Sequence, residues 1–115
     1  MVSNSQVLTE LEYRVVCKYC ELEGKTVPSR EDISLIRRDR DPVGFMTEVK
    51  VDGDVDFRWS SRVYERLPSA RVGAAEELVG FLMFFDPDTT VSIEGFAYGE
   101  VWPISESPIE FVSAS

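Results

Sequence analysis

LVGFLMFFDPDTTVSIEGFA, residues 78–97, decides the fold. Taken alone, 78–85 is ambiguous between a buried helix and a central strand, because an unbroken apolar run of this length carries no period. The residues that follow arbitrate. Asp86-Pro87-Asp88-Thr89 puts Asp first and Pro second, the pattern of a type I turn, and 90–97 then alternates as a strand does. A four-residue loop opposes Phe84 to Val91, Leu82 to Ile93 and Gly80 to Gly95, so the stretch predicts a hairpin with one apolar face. Gly95 is expected at a bulge or close approach and Gly99 at a turn. Beyond it, 101–104 reads as a short edge segment ended by Pro103, and both termini, 1–8 and 112–115, are expected to fray.

Upstream, 45–51 and 55–59 also alternate, around Asp52-Gly53-Asp54. A two-residue loop would set Val49 and Val51 against Asp56 and Asp54. A three-residue loop sets Val51 opposite Val55, Val49 opposite Phe57 and Thr47 opposite Trp59, with Lys50 opposite Asp56 and Glu48 opposite Arg58 on the other face. Only the second register yields an apolar face and opposite-charge pairs together, so it is the predicted one. Asp52, Asp54 and Asp56 also imitate the first, third and fifth positions of a calcium loop. Phe57 stands where that loop needs Gly and Val63 where it needs a bidentate Glu, and the hairpin accounts for the aspartates without a metal. Residues 33–36 read as a further strand, with a short helix capped near Ser29 as the alternative. Residues 60–75 stay undecided apart from a break at Leu67-Pro68.

The N-terminal element carries full helix punctuation. Thr9 and Glu12 form a capping box, Leu8 and Tyr13 a hydrophobic staple, and Gly24 supplies the stop, which predicts a helix over 10–23. Leu11, Val15, Tyr19 and Leu22 make a stripe expected to face the core. Tyr13, Val16, Cys17 and Cys20 make a second apolar sector, so either the fold wraps the helix on two sides or helix 10–23 offers a homodimer face. Cys17 and Cys20 have the C-x-x-C spacing. They lack the strand-to-helix setting that activates such a thiol, and no second pair or His completes a zinc site, so both read as packing thiols. The expected fold is α+β: one domain, 1–115, with an N-terminal helix packed on an antiparallel β-sheet built from hairpins, about five strands in all.

Composition narrows the function. The 115 residues hold 12 Lys and Arg against 21 Asp and Glu, no His, and a net charge of -9. No apolar stretch is long enough for a membrane-spanning helix, and the polar start lacks a signal-peptide pattern, so a cytoplasmic location with no membrane contact is expected. The charge is uneven: 1–28 carries -1, 29–71 is neutral, and 72–115 carries -8 with no Lys or Arg. Such a surface repels phosphate backbones, so no nucleic-acid partner is expected. Arg37, Arg38 and Arg40 are interleaved with acids and read as a solvated loop with mutual ion pairs.

Without His, catalysis would rest on carboxylate pairs or thiols. Glu76 and Glu77 are adjacent and would point to opposite faces of a strand, Asp86 and Asp88 belong to a turn, and no Gly-rich phosphate loop opens a helix. The expectation is therefore a non-enzyme with no catalytic residues, no metal and no cofactor. A small carboxylate-dependent hydrolase is an alternative, and would need a pocket holding two carboxylates about 5 to 9 Å apart. The base-free segment focuses a negative field that would speed association with a basic protein partner. Aromatic side chains lie among its acids, which marks Glu76, Glu77, Asp86, Asp88, Glu94, Tyr98, Glu100 and Trp102 as candidate partner-binding residues. A structural or homodimerising domain is the other alternative. In it Phe96 and Trp102 belong to the core and the acids only keep the fold soluble.

The stretch 79–103, with Phe81-Leu-Met-Phe-Phe85, an acidic turn, Val91-Ser-Ile-Glu-Gly95 and Tyr98-Gly-Glu-Val-Trp-Pro103, resembles the C-terminal part of small uncharacterised bacterial domains. Several of those are similar to immunity proteins of polymorphic toxin systems. The resemblance implies an interaction role, such as immunity-type inhibition of a basic toxin, and no catalytic residues.

Overall fold

Thr9 opens helix α1, Glu10–Glu23: its hydroxyl accepts the Glu12 N–H at 3.1 Å while the Glu12 carboxylate accepts the Thr9 N–H at 2.8 Å. Gly24 closes the helix at φ 67°, a left-handed conformation that costs glycine little. The helix thus begins and ends where its punctuation predicts, in a computed structural model that describes residues 7–52, 55–87 and 90–112. Leu11, Glu12, Val15, Val16, Tyr19 and Cys20 are buried, so the fold wraps α1 on two sides. Leu22 is 46% exposed instead of in the core stripe, because the last turn runs past the packing that ends at Tyr19 and Cys20. Val16 and Cys20 are buried, Tyr13 and Cys17 are half-buried and the Tyr13 hydroxyl donates to the Pro28 carbonyl at 2.8 Å, so most of the second sector is turned into the fold. Cys17 and Cys20 are thiols, not a disulfide.

Among the described residues seven antiparallel strands form one sheet: β1 Ile33–Asp41, β2 Gly44–Val51, β3 Val63–Tyr64, β4 Ala70–Val72, β5 Glu77–Phe85, β6 Thr90–Ala97 and β7 Ile109–Phe111. Their order is β1-β2-β6-β5-β4-β7, with β3 paired beside β5. The fold class is the α+β expected, with more strands than foreseen. Val49, Val79, Phe81, Met83, Phe85, Val91 and Ile93 turn to one face and pack against α1, where Tyr19 stacks edge-on with Phe57 and Tyr64 at 5.3 and 4.7 Å.

Three sequence expectations are corrected. The hairpin 78–97 forms, but Phe85 opposes Val91, Met83 opposes Ile93 and Phe81 opposes Gly95. Asp86 and Thr90 close it, the Asp86 N–H donating to the Thr90 carbonyl at 2.9 Å and the Thr90 hydroxyl to the Asp86 carboxylate at 3.1 Å. A one-residue slip exchanges the faces of a strand, and β5 is apolar on both, so its own pattern cannot choose. The proposed turn residues Asp88 and Thr89 lie outside the described residues. Second, β2 pairs with β1 upstream rather than with 55–59: Val51 opposes Ile33, Val49 opposes Leu35 and Glu48 opposes Arg37. Residues Val55–Phe57 form a 3-10 turn that drops Phe57 into the core, where its carbonyl accepts the Tyr19 hydroxyl at 2.5 Å. The Lys50–Asp56 and Glu48–Arg58 pairs therefore do not form, and Arg37, Arg38 and Arg40 lie on an edge strand, not in a loop. Third, 101–104 is not a strand, and the chain as far as Val112 is tied down by β7 pairing to β4 and by the Val112 N–H donating to the Ser69 carbonyl at 2.8 Å, while 113–115 lie outside the described residues. Leu8, expected to fray, is buried at 2% exposure.

Gly95 is the close approach the sequence suggested. A Cβ there would stand 2.3 Å from the Phe45 ring, and one on Gly44 would stand 2.1 Å from the Gly95 carbonyl oxygen. The molecule measures 42 × 38 × 21 Å. Its thinnest dimension accommodates one sheet and one helix at the usual spacing of about 10 Å, so among the described residues nothing covers the second face of the sheet.

Candidate partner-binding face

Side chains alternate across a strand, so the residues between those facing α1 point the other way. On the uncovered face Glu94 of β6 lies between Met46 of β2 and Leu82 of β5, with Ser92 and Phe96 next along its own strand. Glu48 sits diagonally across, roughly 7 to 8 Å away by antiparallel geometry. Met46, Glu48, Leu82, Phe84, Ser92, Glu94 and Phe96 are all half-buried, and Leu78, Val63 and Tyr98 are exposed around them.

Glu94 has no ion pair and no side-chain hydrogen bond among the described residues, and neither does Glu48. Arg37 stands opposite Glu48, but its Nε bonds to Asp39 at 3.0 Å. Two half-buried carboxylates are thus held beside apolar side chains on neighbouring strands without an ion pair among the described residues. A cleft of about 430 Å³ runs along this part of the face, lined by Met46, Glu48, Val63, Phe84 and Ser92 and bounded by the Arg37–Asp39 and Arg62–Asp86 pairs. Phe96 is laid flat across β5 because Gly80 has no side chain: a Cβ there would stand 2.5 Å from the Phe96 ring and 2.8 Å from the Tyr98 hydroxyl. The Phe96 and Tyr98 rings meet edge to face at 5.5 Å.

The residues nominated from sequence are not brought together. Glu94 and Tyr98 share the uncovered face, and Asp86 stands at its rim beside Arg62 at 3.6 Å. Trp102 belongs to the opposite side. It packs edge-on against Phe45 at 5.2 Å, its Nε1 donates to Glu106 at 2.8 Å, and its backbone N–H donates to the Pro42 carbonyl at 2.7 Å. Glu76 and Glu77 are exposed where the β4–β5 turn enters β5, Glu100 is exposed in the loop after β6, and Asp88 lies outside the described residues. Charge sign along the chain groups residues that the sheet separates. Sequence reasoning missed Glu48, Met46, Leu82 and Phe84. The available signal was that β5 is apolar on both faces while only one helix is present to cover it.

The other polar cluster is structural. Glu12 is fully buried, and its carboxylate accepts from Thr9 N–H at 2.8 Å, Arg38 Nη2 at 2.6 Å, Arg38 Nε at 2.7 Å and Thr47 Oγ1 at 2.5 Å. Burial pushes its pKa up, but the hydrogen bonds from Arg38, Thr47 and Thr9, with the Arg38 charge, outweigh burial and hold it below the ordinary value. A carboxylate with four donors has no lone pair left for a substrate. Glu12 therefore ties α1 to β1 and β2.

Compared with known proteins, the chain matches no family model, no curated protein and no solved structure. No helix among the described residues is long and apolar enough to cross a membrane.

Proposed function

We propose that the chain is a small, non-catalytic protein-binding module for a basic protein, of which immunity-type inhibition of a basic toxin is one instance. The observation that carries this reading is Glu94, a half-buried carboxylate without an ion pair, in the middle of a partly apolar sheet face that none of the described residues covers. Exposed apolar surface rimmed by charge is what partner-binding patches look like, and a net charge of -9 favours a basic partner. The nearby Glu48 lies at a spacing that two-carboxylate hydrolysis could use. Both groups stand on an open face from which water is not excluded, so binding is the better-supported use.

The test is affinity capture from the native host, followed by binding of the purified captured protein at low and high salt. A basic partner is expected, with association that slows as salt rises and weakens when Glu94→Lys and Glu100→Lys are introduced. Affinity unchanged by salt and by both reversals would overturn the proposal.

A further inference from the structure

Resting on that reading, we propose that the uncovered sheet face docks one amphipathic α-helix of the basic partner. Its Arg or Lys side chains would reach Glu94 and Glu48 while its apolar stripe covers Met46, Leu82 and Phe84.

The backbone chemistry of the surface selects the element. Inside a sheet every strand's N–H and C=O groups are spent on its neighbours, so the face offers a partner side chains only. An extended peptide laid across it would leave its own backbone unpaired, whereas a helix brings its backbone already satisfied. A strand would have to add at an edge. The long edge β1 resists this, because its pairing is interrupted by a bulge between Leu35 and Arg37 and it then alternates Arg and Asp. The dimensions agree with a helix. β5 has 9 residues, which at about 3.3 Å each extend roughly 30 Å, the length of a helix of about 20 residues.

Charge selects the partner. A second copy of this chain would bring another net -9 onto the face and set Glu94 against a surface whose central strand offers no cation. A guanidinium beside an apolar stripe fits better. It can bond the Glu94 carboxylate while lying over an aromatic ring, as Arg58 lies over Phe85 and Arg66 over Trp59 within this molecule at 5.9 and 5.1 Å.

The experiment titrates the full chain, followed by amide chemical shifts, with a designed helical peptide of about 20 residues that carries a Leu stripe flanked by Arg, and with its twin carrying Glu for Arg. The Arg peptide is expected to shift the Met46, Glu48, Leu82, Phe84 and Glu94 amides saturably, and the Glu twin is not. Glu48→Gln with Glu94→Gln should weaken binding about tenfold or more, as loss of charge-assisted hydrogen bonds does, while Glu31→Gln, exposed in the 3-10 turn before β1, leaves it unchanged. Met46→Lys, on the same face, is a second variant and should abolish binding. Shifts confined to the acidic segments around Glu76 and Glu100 would overturn the helix dock and leave the basic-partner reading standing. No shift with either peptide would overturn the helix dock, while the salt dependence of the captured partner decides the basic-partner reading separately. Equal binding of both peptides on the face would overturn the role of the two carboxylates.

Discussion

Replacing Glu12 by Gln keeps the shape of a buried side chain and removes one charge. The wild-type carboxylate accepts four hydrogen bonds, two of them from Arg38. Gln has one acceptor oxygen. Turned toward Thr9 and Arg38 Nη2 it keeps two bonds, both now to a neutral acceptor. Its amide NH2 then faces the Thr47 hydroxyl, which can rotate to accept, and the Arg38 Nε–H, which cannot. Weakening two charge-assisted bonds to neutral ones costs about 1 kcal/mol each, and the donor-against-donor contact costs a further 1–3 kcal/mol. The sum, about 3–5 kcal/mol, matches what loss of one partner from a buried ion pair costs. Urea denaturation followed by circular dichroism at pH 7 reads it directly, and the melting temperature should fall by about 4 °C per kcal/mol at this chain length. The pH dependence supplies a second reading. Because the folded pKa lies below the ordinary value of 4.5, the carboxylate's contribution is complete above that value and is lost as pH falls through the folded pKa. The gap between wild type and Glu12→Gln should be widest near neutrality and close in acid. A loss under about 1 kcal/mol at pH 7, or a gap that persists unchanged into strong acid, would refute the account of Glu12 as a charge-dependent tie.

Other perturbations probe different parts of the fold. Gly44→Ala drives a Cβ against the Gly95 carbonyl oxygen, a backbone atom that cannot step aside, so a loss of about 3 kcal/mol is expected by denaturant titration, whereas Gly99→Ala, with nothing within 4 Å, should be near neutral. Tyr19→Phe strips the buried Phe57 carbonyl of its donor and should cost about 1–3 kcal/mol in the same assay, with the near-ultraviolet spectrum retained. Trp102→Phe keeps the edge contact with Phe45 but loses the bond to Glu106, so a smaller loss, about 1 kcal/mol, is expected from thermal melts.

What could be read in the sequence follows the range of the forces involved. Helix 10–23 was legible to the residue because Thr9, Glu12 and Gly24 act through bonds three to five positions long. The strand pair 78–97 was legible as an element, since Pro87 and the alternation after it are local signals. Its register was not, because Leu78, Leu82 and Phe84 are as apolar as Val79, Phe81 and Met83, and only the position of α1 settles which set is buried. The partner of β2 was misread because 55–59 offers a good local register while β1 offers a longer one, and pairing length is not visible from either segment alone.

The candidate site divides along the same line. Glu94 and Tyr98 could be picked out by charge and ring, and the excess of acids over bases was countable before any folding. That Trp102 faces away, that Glu48 comes beside Glu94, and that Glu12 spends its whole carboxylate on Arg38, Thr47 and Thr9 are decisions of the tertiary structure. Composition and short-range hydrogen bonds are properties of the chain. Which side of a strand meets water depends on what packs against the other side.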